Sequence, residues 1–337
     1  MRVALTAEQR AFGATLHDQL AAGGVPATAR AWAAGNCEPG LALWRSLAGA
    51  GVTGLMVPES CGGASAGPAD LVVACEELGH HPVPGPLAES LAAVPALLLD
   101  LAAGDGPAAG WLAGLAGGEL IATVALPPSV PYALDAGPSG LVLSAAQDEI
   151  WLARPEDSLA SADLARRLHR VSRTELVAGR AGPAITRAAA YGTLASAALL
   201  LGAGRGLLDA AVGHAKTREQ FGRPIGSFQA VKHALADVLI GLEFARPLLH
   251  GAAAALDAGA ATTARDIAAA RVACADAANL AARTALQVHG AIGYTLECDV
   301  SLWLAKVRAL SATWGSQAQH RATVLAALSH EDSGPWA

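Results

Sequence analysis

Apolar residues return every three or four positions over most of this chain. The clearest case runs Phe228, Val231, Leu235, Val238, Leu242, Ala245 and Leu249, with Lys232, Asp237, Glu243 and Arg246 off the line. That period predicts one long helix buried along a continuous stripe. Similar spacing predicts helices from Thr263 to Val288 and from Val300 to Leu328. The alanine-rich stretch between Arg187 and Arg205, interrupted by Gly192 and Gly202, reads as a core helix and not as a membrane span. Upstream, Thr6 with Gln9 three residues on forms a capping-box pattern at the start of a first helix. Further helices are expected at Leu41 to Ala50, Ala69 to Leu78 (stopped by Gly79), Glu89 to Leu101 and Trp111 to Leu115. His80 to Pro86 reads as an extended connector, because each residue before a proline is pushed out of the helical region.

The pattern changes at Glu119. Short apolar runs at Leu120 to Ala125, Leu141 to Ser144, Ile150 to Ala153 and Leu168 to Ser172 predict strands, with a hairpin turn from Ala145 to Glu149. The expected architecture is mostly α: an N-terminal helical domain over 1–117, a small central β domain over 118–183 and a C-terminal four-helix bundle over 184–330.

Composition narrows the function classes. Hydrophobic residues make up 53% of the 337 and charged residues 15%, which excludes a solvated, disordered chain. The net charge of -6 argues against a nucleic-acid footprint, which needs a clustered basic face. Cys37, Cys61, Cys75, Cys274 and Cys298 are odd in number and form no C-x-x-C pair, so free thiols in a reducing cytoplasm are expected. Residues 1–10 carry Arg2, Glu8 and Arg10 and lack the apolar region of a signal peptide.

Several motifs are excluded before one is kept. The glycines of Gly202-Ala203-Gly204-Arg205-Gly206 lie inside a helical run, not after a strand, so they predict close helix packing and not dinucleotide binding. There is no P-loop and no G-x-S-x-G elbow, and His80-His81 shows no carboxylate or cysteine at metal-ligand spacing, so no metal is expected. The segment Thr217 to Gln229 (TREQFGRPIGSFQ) is different. It sets Arg218, a planar and permanently charged fork suited to phosphate, and Gln229, near a helix N-terminus, on either side of a Gly/Pro turn.

That segment resembles the signature of the acyl-CoA dehydrogenase family. Gln287 to Glu297 (QVHGAIGYTLE) is similar to the family's second C-terminal motif, and Gly51 to Glu59, Gly62-Gly63 and Glu76 to Gly79 match its N-terminal half. The resemblance spans nearly the whole chain in order. It implies a helical–β–helical fold, FAD as cofactor, and an oligomer in which the ADP half of each flavin is held across a subunit interface. By that resemblance Arg218 and Gln229 contact the pyrophosphate and adenosine, Phe221 packs by the flavin, and Gln287, His289, Gly290 and Ala291 lend further contacts. The family usually has Gly-Gly where this chain has Gly290-Ala291.

The implied reaction is α,β-dehydrogenation of an acyl-CoA thioester, in which a carboxylate in a dry pocket takes the α-proton. At one of the family's two positions for that base this chain has Trp314, ahead of Gly315-Ser316, which cannot act as a base. At the other the match falls on Asp276, in a helical row with Val272 and Leu280 and one methylene shorter than glutamate. Trp151 does not reproduce the loop that covers the flavin ring in the family. The split pattern is most similar to the smaller subunit of the heterotetrameric acyl-CoA dehydrogenases of actinobacteria, some of which act on sterol side-chain CoA esters. It implies an α2β2 complex in which a longer subunit supplies base and flavin pocket, with an electron-accepting flavoprotein downstream. A self-sufficient homo-oligomer using Asp276 and a scaffold without flavin of its own stay open.

Overall fold

The computed structural model describes residues 4–102, 104 and 106–331; Arg2 lies outside them. Helix α1 (Ala7–Ala22) opens on the expected capping box: Gln9 N–H donates to Thr6 Oγ1 at 3.1 Å and Thr6 N–H to Gln9 Oε1 at 3.0 Å. Helices α2 (Val25–Ala33) and α3 (Glu38–Gly49) follow, then a glycine-rich turn region, α4 (Pro68–His80), a helical run through α5 (Val94–Leu98), and α6 (Ala108–Ala116). Gly79 does not stop α4. It is buried inside the helix, and extended backbone begins at His81.

A five-stranded sheet follows in the order β1-β3-β4-β5-β2. Its strands are β1 (Ala122–Ala125), β2 (Ala133–Leu134), β3 (Leu141–Ala146), β4 (Glu149–Ala160) and β5 (Arg167–Gly179). β1 and β3 pair in parallel and are buried almost throughout, whereas β4 and β5 form a long antiparallel ribbon interrupted by bulges and largely exposed. Gln147 and Asp148 at the expected hairpin both have positive φ (55° and 69°), as a two-residue type I′ turn requires. Sequence periodicity missed β2, which is only two residues long, and underestimated β4 and β5, whose exposed halves carry too few apolar residues to announce a strand.

Three long helices follow, α7 (Gly182–Thr217), α8 (Gln229–Asp257) and α9 (Thr263–His289), and then two shorter ones, α10 (Val300–Ser311) and α11 (Gln317–Glu331), the last lying on α9. The expected single helix from Val300 to Leu328 is broken at Trp314-Gly315, where φ is 55° and 89°, so the chain turns back toward the core. α7 and α8 are long and apolar enough to cross a membrane by length and composition, but 72% of the most apolar window of α7 is buried inside the fold. Of the stripe on α8, Val238, Leu242, Ala245 and Leu249 are buried; Phe228, Val231 and Leu235, nearer its start, are only half-buried. Cys61, Cys75 and Cys274 are buried free thiols, and Cys37 and Cys298 are half-buried.

α4 crosses α7 at backbone contact. A Cβ on Gly202 would overlap the Glu76 carbonyl oxygen, one on Gly79 the Leu199 carbonyl, and one on Gly206 would lie 2.5 Å from the His80 carbonyl oxygen. Here the glycines of Gly202 to Gly206 act as the packing surface that their position inside a helical run predicts. Gly202→Ala forces backbone apart and is expected to destabilise the protein by about 1–3 kcal/mol or more, read as a lower urea midpoint at unchanged m-value.

At the edge of the sheet, Asp135 is 1% exposed and its Oδ1 accepts the Arg167 N–H at 2.9 Å. Burial raises its pKa to about 7, against the pull of the Arg167 N–H and the Arg166 guanidinium. The native state therefore holds a proton that the unfolded chain releases near the ordinary aspartate value, and stability falls as pH rises from about 4 to about 7. Asp135→Asn removes that slope: relative to the native chain, the variant gains stability between pH 5 and pH 7.5 in urea titrations, and an unchanged difference would refute the assignment.

Candidate functional site

The segment from Arg218 to Gln229 leaves α7 as extended chain and makes a miniature hairpin, Glu219–Gln220 against Arg223–Pro224. Phe221 and Gly222 form its turn, both with positive φ (53° and 77°), so Phe221 is held out from the body at 92% exposure. A 3-10 turn at Ile225–Ser227 then leads into α8. No side chain caps the first turn of α8, so its N–H groups are free to bond an anion. The Arg223 guanidinium sits 4.1 Å over the Phe228 ring, and Phe221 meets the same ring edge-on at 6.1 Å.

These pieces enclose an open groove of about 680 Å³ between the hairpin, the start of α8 and the end of α9, lined by Phe221, Phe228, Val231, Arg283 and Gln287 among others. The structure thus brings Phe221 and Gln287 into one groove, although 66 positions separate them in the chain. Gln229 is the first residue of α8, beside the lining residues Phe228 and Ala230, and is exposed. Arg218 caps the C-terminus of α7 at the base of the hairpin with its side chain in solvent. His289 ends α9: its Nδ1–H donates to the Ala285 carbonyl at 2.8 Å, and its ring stacks on His214 at 4.3 Å. Gly290 follows with φ 63° and ψ -141°, a region open essentially to glycine, and Ala291 sits exposed in the next turn.

Asp276 lies elsewhere. It shares with Val272 and Leu325 a shallow groove between α9 and α11, but its side chain is 57% exposed and both oxygens are engaged. Gln317 Nε2 donates to one at 3.0 Å and Arg321 Nη2 to the other at 2.9 Å. The dry surroundings expected from its helical row are absent: α11 brings an arginine to the carboxylate, which a row drawn on α9 alone does not reveal.

The interior where the three blocks meet is filled. Trp314 is 1% exposed and lies directly against Gly192 of α7, where any Cβ would strike its ring. Its Nε1–H donates to Glu89 Oε1 at 3.2 Å. Burial pushes Glu89 above the usual carboxylate range, opposed by Arg166 and by the Trp314 hydrogen bond. Lys306, lowered chiefly by burial, donates to the Val83 carbonyl at 2.9 Å and faces Asp163 at 3.8 Å. Arg271, fully buried and brought down to about 10 by burial, donates to the carbonyls of Leu310 and Thr313 at 2.7 and 3.0 Å. The space left beside Glu89 and Lys306 is about 30 Å³, room for a single water. Sequence reasoning did not find this polar junction, since nothing in the local pattern around Glu89 or Arg271 distinguishes them from surface residues.

Comparison with known proteins places these features. The family models for the acyl-CoA dehydrogenase N-terminal and C-terminal domains match residues 6–119 and 182–329. Acyl-CoA dehydrogenase IpdE2 of Mycobacterium tuberculosis is 35% identical over 83% of this chain and 85% of its own length. Acyl-CoA dehydrogenase FadE34 of the same organism is 37% identical, and this chain spans 41% of its length. Among solved structures, a steroid acyl-CoA dehydrogenase, Tcur3481-Tcur3483, superposes with a TM-score of 0.85 over 97% of this chain and 99% of the other at 23% identity. The ChsE4-ChsE5 complex of M. tuberculosis does so at 0.80 over the full length of both, also at 23% identity. At that identity both likenesses speak for the fold alone.

Removing the indole from the filled junction tests how much it carries. Trp314→Ala is expected to cost about 3–5 kcal/mol, and Trp314→Phe less, measured by urea unfolding; equal stability of all three proteins would mean that the ring is not packed as described.

Proposed function

The chain belongs to the acyl-CoA dehydrogenase family, and from that premise we propose that it works as the ADP-side subunit of an α2β2 acyl-CoA dehydrogenase, with FAD shared between unlike subunits. The observation that carries this reading is the contrast between the two places just described. The groove beside the Arg218 hairpin is open, mostly apolar in its lining, with donors from Gln220, Arg283, Thr284 and Gln287 and with Arg218 and Gln229 beside it. At the family's base position the interior is occupied by Trp314, and the space beside Glu89 and Lys306 is only about 30 Å³.

The donor set of the groove suits the ADP half of FAD. Arg218 offers a bidentate guanidinium to the pyrophosphate, and the uncapped first turn of α8 adds backbone N–H groups and a favourable dipole. Gln229 and Gln287 supply amides for the ribose or adenine edge. Phe221 presents an exposed ring to whatever the neighbouring subunit brings. FAD, when bound, accepts the hydride that leaves the acyl β-carbon. The α-proton is taken by a carboxylate of the longer subunit, because Trp314 has no basic atom and Asp276 is ion-paired in solvent. An exposed row on α8, Ile240, Phe244 and Leu248, and the exposed Ile292, Tyr294 and Leu296 beyond α9, offer the apolar surface that such a subunit would cover. The names of the mycobacterial relatives and of the steroid enzyme favour a bulky sterol-derived acyl-CoA as the substrate of the complex, with a flavoprotein as electron acceptor.

The test is a flavin absorbance spectrum of this chain purified alone and again after co-expression with a longer family member from the same genome. FAD retained only with the partner is the expected result. Arg218→Ala should then lose most of the flavin, and Asp276→Asn should leave turnover of the complex unchanged. Stoichiometric FAD and dehydrogenation by the lone chain, abolished by Asp276→Asn, would overturn the reading in favour of a self-sufficient oligomer.

A further inference from the structure

Away from the flavin groove, three imidazoles and a carboxylate meet where α1 packs on the end of α4. His17 comes from α1; Glu77 and His80 come from the last turn of α4; His81 is the first extended residue after it. One ligand atom from each of the four lies within 4.8 Å of every other. The expectation that His80-His81 lacks a carboxylate at ligand spacing does not survive the fold. Glu77 stands three residues before His80 on the same helix, an i, i+3 spacing visible in the chain. His17 arrives from 60 positions upstream.

We propose that His17, Glu77, His80 and His81 form a binding site for one divalent metal ion of the zinc class, which clamps α1 onto the α4–α7 crossing. Four donors at about 2.0–2.1 Å in tetrahedral array stand about 3.3 Å apart. His17 Nδ1 lies 3.0 Å from Glu77 Oε2 and 3.3 Å from His81 Nε2, so two of the donor pairs already have about that spacing, and the remaining pairs lie within 4.8 Å. Hydrogen bonding among two imidazole nitrogens and a carboxylate oxygen uses a single shared proton, which a metal ion replaces. His80 supplies the second, independent observation. Its Nε2 is held by Asp209 Oδ2 at 2.9 Å, while its Nδ1 is buried with no hydrogen-bond partner. A carboxylate on one ring nitrogen, with the other left without a partner, is the arrangement that orients a metal-ligating imidazole.

The surroundings fit a dication. The three rings pack at centroid distances of 4.8–4.9 Å, so all three imidazoles face one small space. Glu77 gives its other oxygen to Arg205 at 2.9 Å, and Glu76, Glu77 and Asp209 outnumber the guanidinium groups of Arg205 and Arg246 by one charge. The His17 side chain is 38% exposed, which leaves an entry path. Nitrogen and oxygen donors without sulfur exclude a preference for copper(I) and suit zinc, cobalt or nickel.

The experiment uses the full chain, dialysed against chelator and titrated with Zn2+ alone and then Co2+ alone. Elemental analysis after gel filtration should give one Zn2+ per chain, and Zn2+ should raise the melting temperature. His17→Gln and His81→Gln should abolish both effects, Asp209→Asn should weaken binding about 10–100-fold, and His233→Gln, an exposed histidine on α8, should change neither. Metal bound equally by the native chain, His17→Gln and His81→Gln would overturn the proposal, as would substoichiometric metal in the native chain. If the variants fail to fold, the Co2+ spectrum of the native chain decides: intense visible bands of tetrahedral cobalt support the site, and the weak spectrum of octahedral, surface-bound cobalt refutes it. None of these readouts requires flavin, so the outcome is independent of the function proposed above.

Discussion

Contact between the backbones of α4 and α7 is the constraint on which the rest of this structure depends. Two helices approach this closely only where side chains are absent, and Gly79, Gly202 and Gly206 supply the gap on both sides of the crossing. The close approach fixes what stands around it. Arg205, between two of those glycines, donates to both Glu76 and Glu77 at 2.9 Å, and Arg246 of α8 reaches the same Glu76 at 3.1 Å. One more turn along, Trp303 of α10 donates its Nε1–H to the His80 carbonyl at 2.9 Å. The N-terminal helices are thereby tied to three helices of the bundle through the last two turns of α4. Removing one partner from such a half-buried ionic network leaves an uncompensated charge, so the network is costly to break even though its net contribution is small.

A rigid crossing lets the two ends of the molecule differ. On one side the chain turns inward after α10 and seats Trp314 against Gly192, converting what would be a cavity into packed core. Buried polar groups gather around that junction: Trp314 donates to Glu89, Lys306 to the Val83 carbonyl, and one Arg271 nitrogen to two carbonyls, while Arg271 Nε and Nη1 have no partner. On the other side the hairpin holding Phe221 is kept away from the core by two successive positive-φ residues, and its groove stays open. The exposed Phe221 ring leaves apolar surface on that rim.

Much of this was legible in the chain because it is local. The capping box at Thr6 and Gln9, the Gln147-Asp148 turn and the period of α8 and α9 depend on residues within one or two turns of each other. Other features were hidden because they join distant segments. Gly79 looks like a helix stop until α7 is seen to need the space. Asp276 looks set for an apolar face until α11 brings Arg321 beside it. The half-exposed start of the α8 stripe looks like core because periodicity identifies an apolar face without saying whether protein or a groove lies against it.

The amino-acid sequence by itself determined the family, the three-block order and most of the helices, and it named the residues expected to grip a phosphate, because each follows from short-range propensity or from ordered motifs. Only the tertiary structure decided which of those residues share a space. It put Phe221 and Gln287 in one groove, closed the interior with Trp314, and delivered His17 to Glu77, His80 and His81. The physical reason is that proximity between distant segments is set by how helices cross. That in turn rests on steric gaps at a few glycines, whose role cannot be read until the opposing helix is in place.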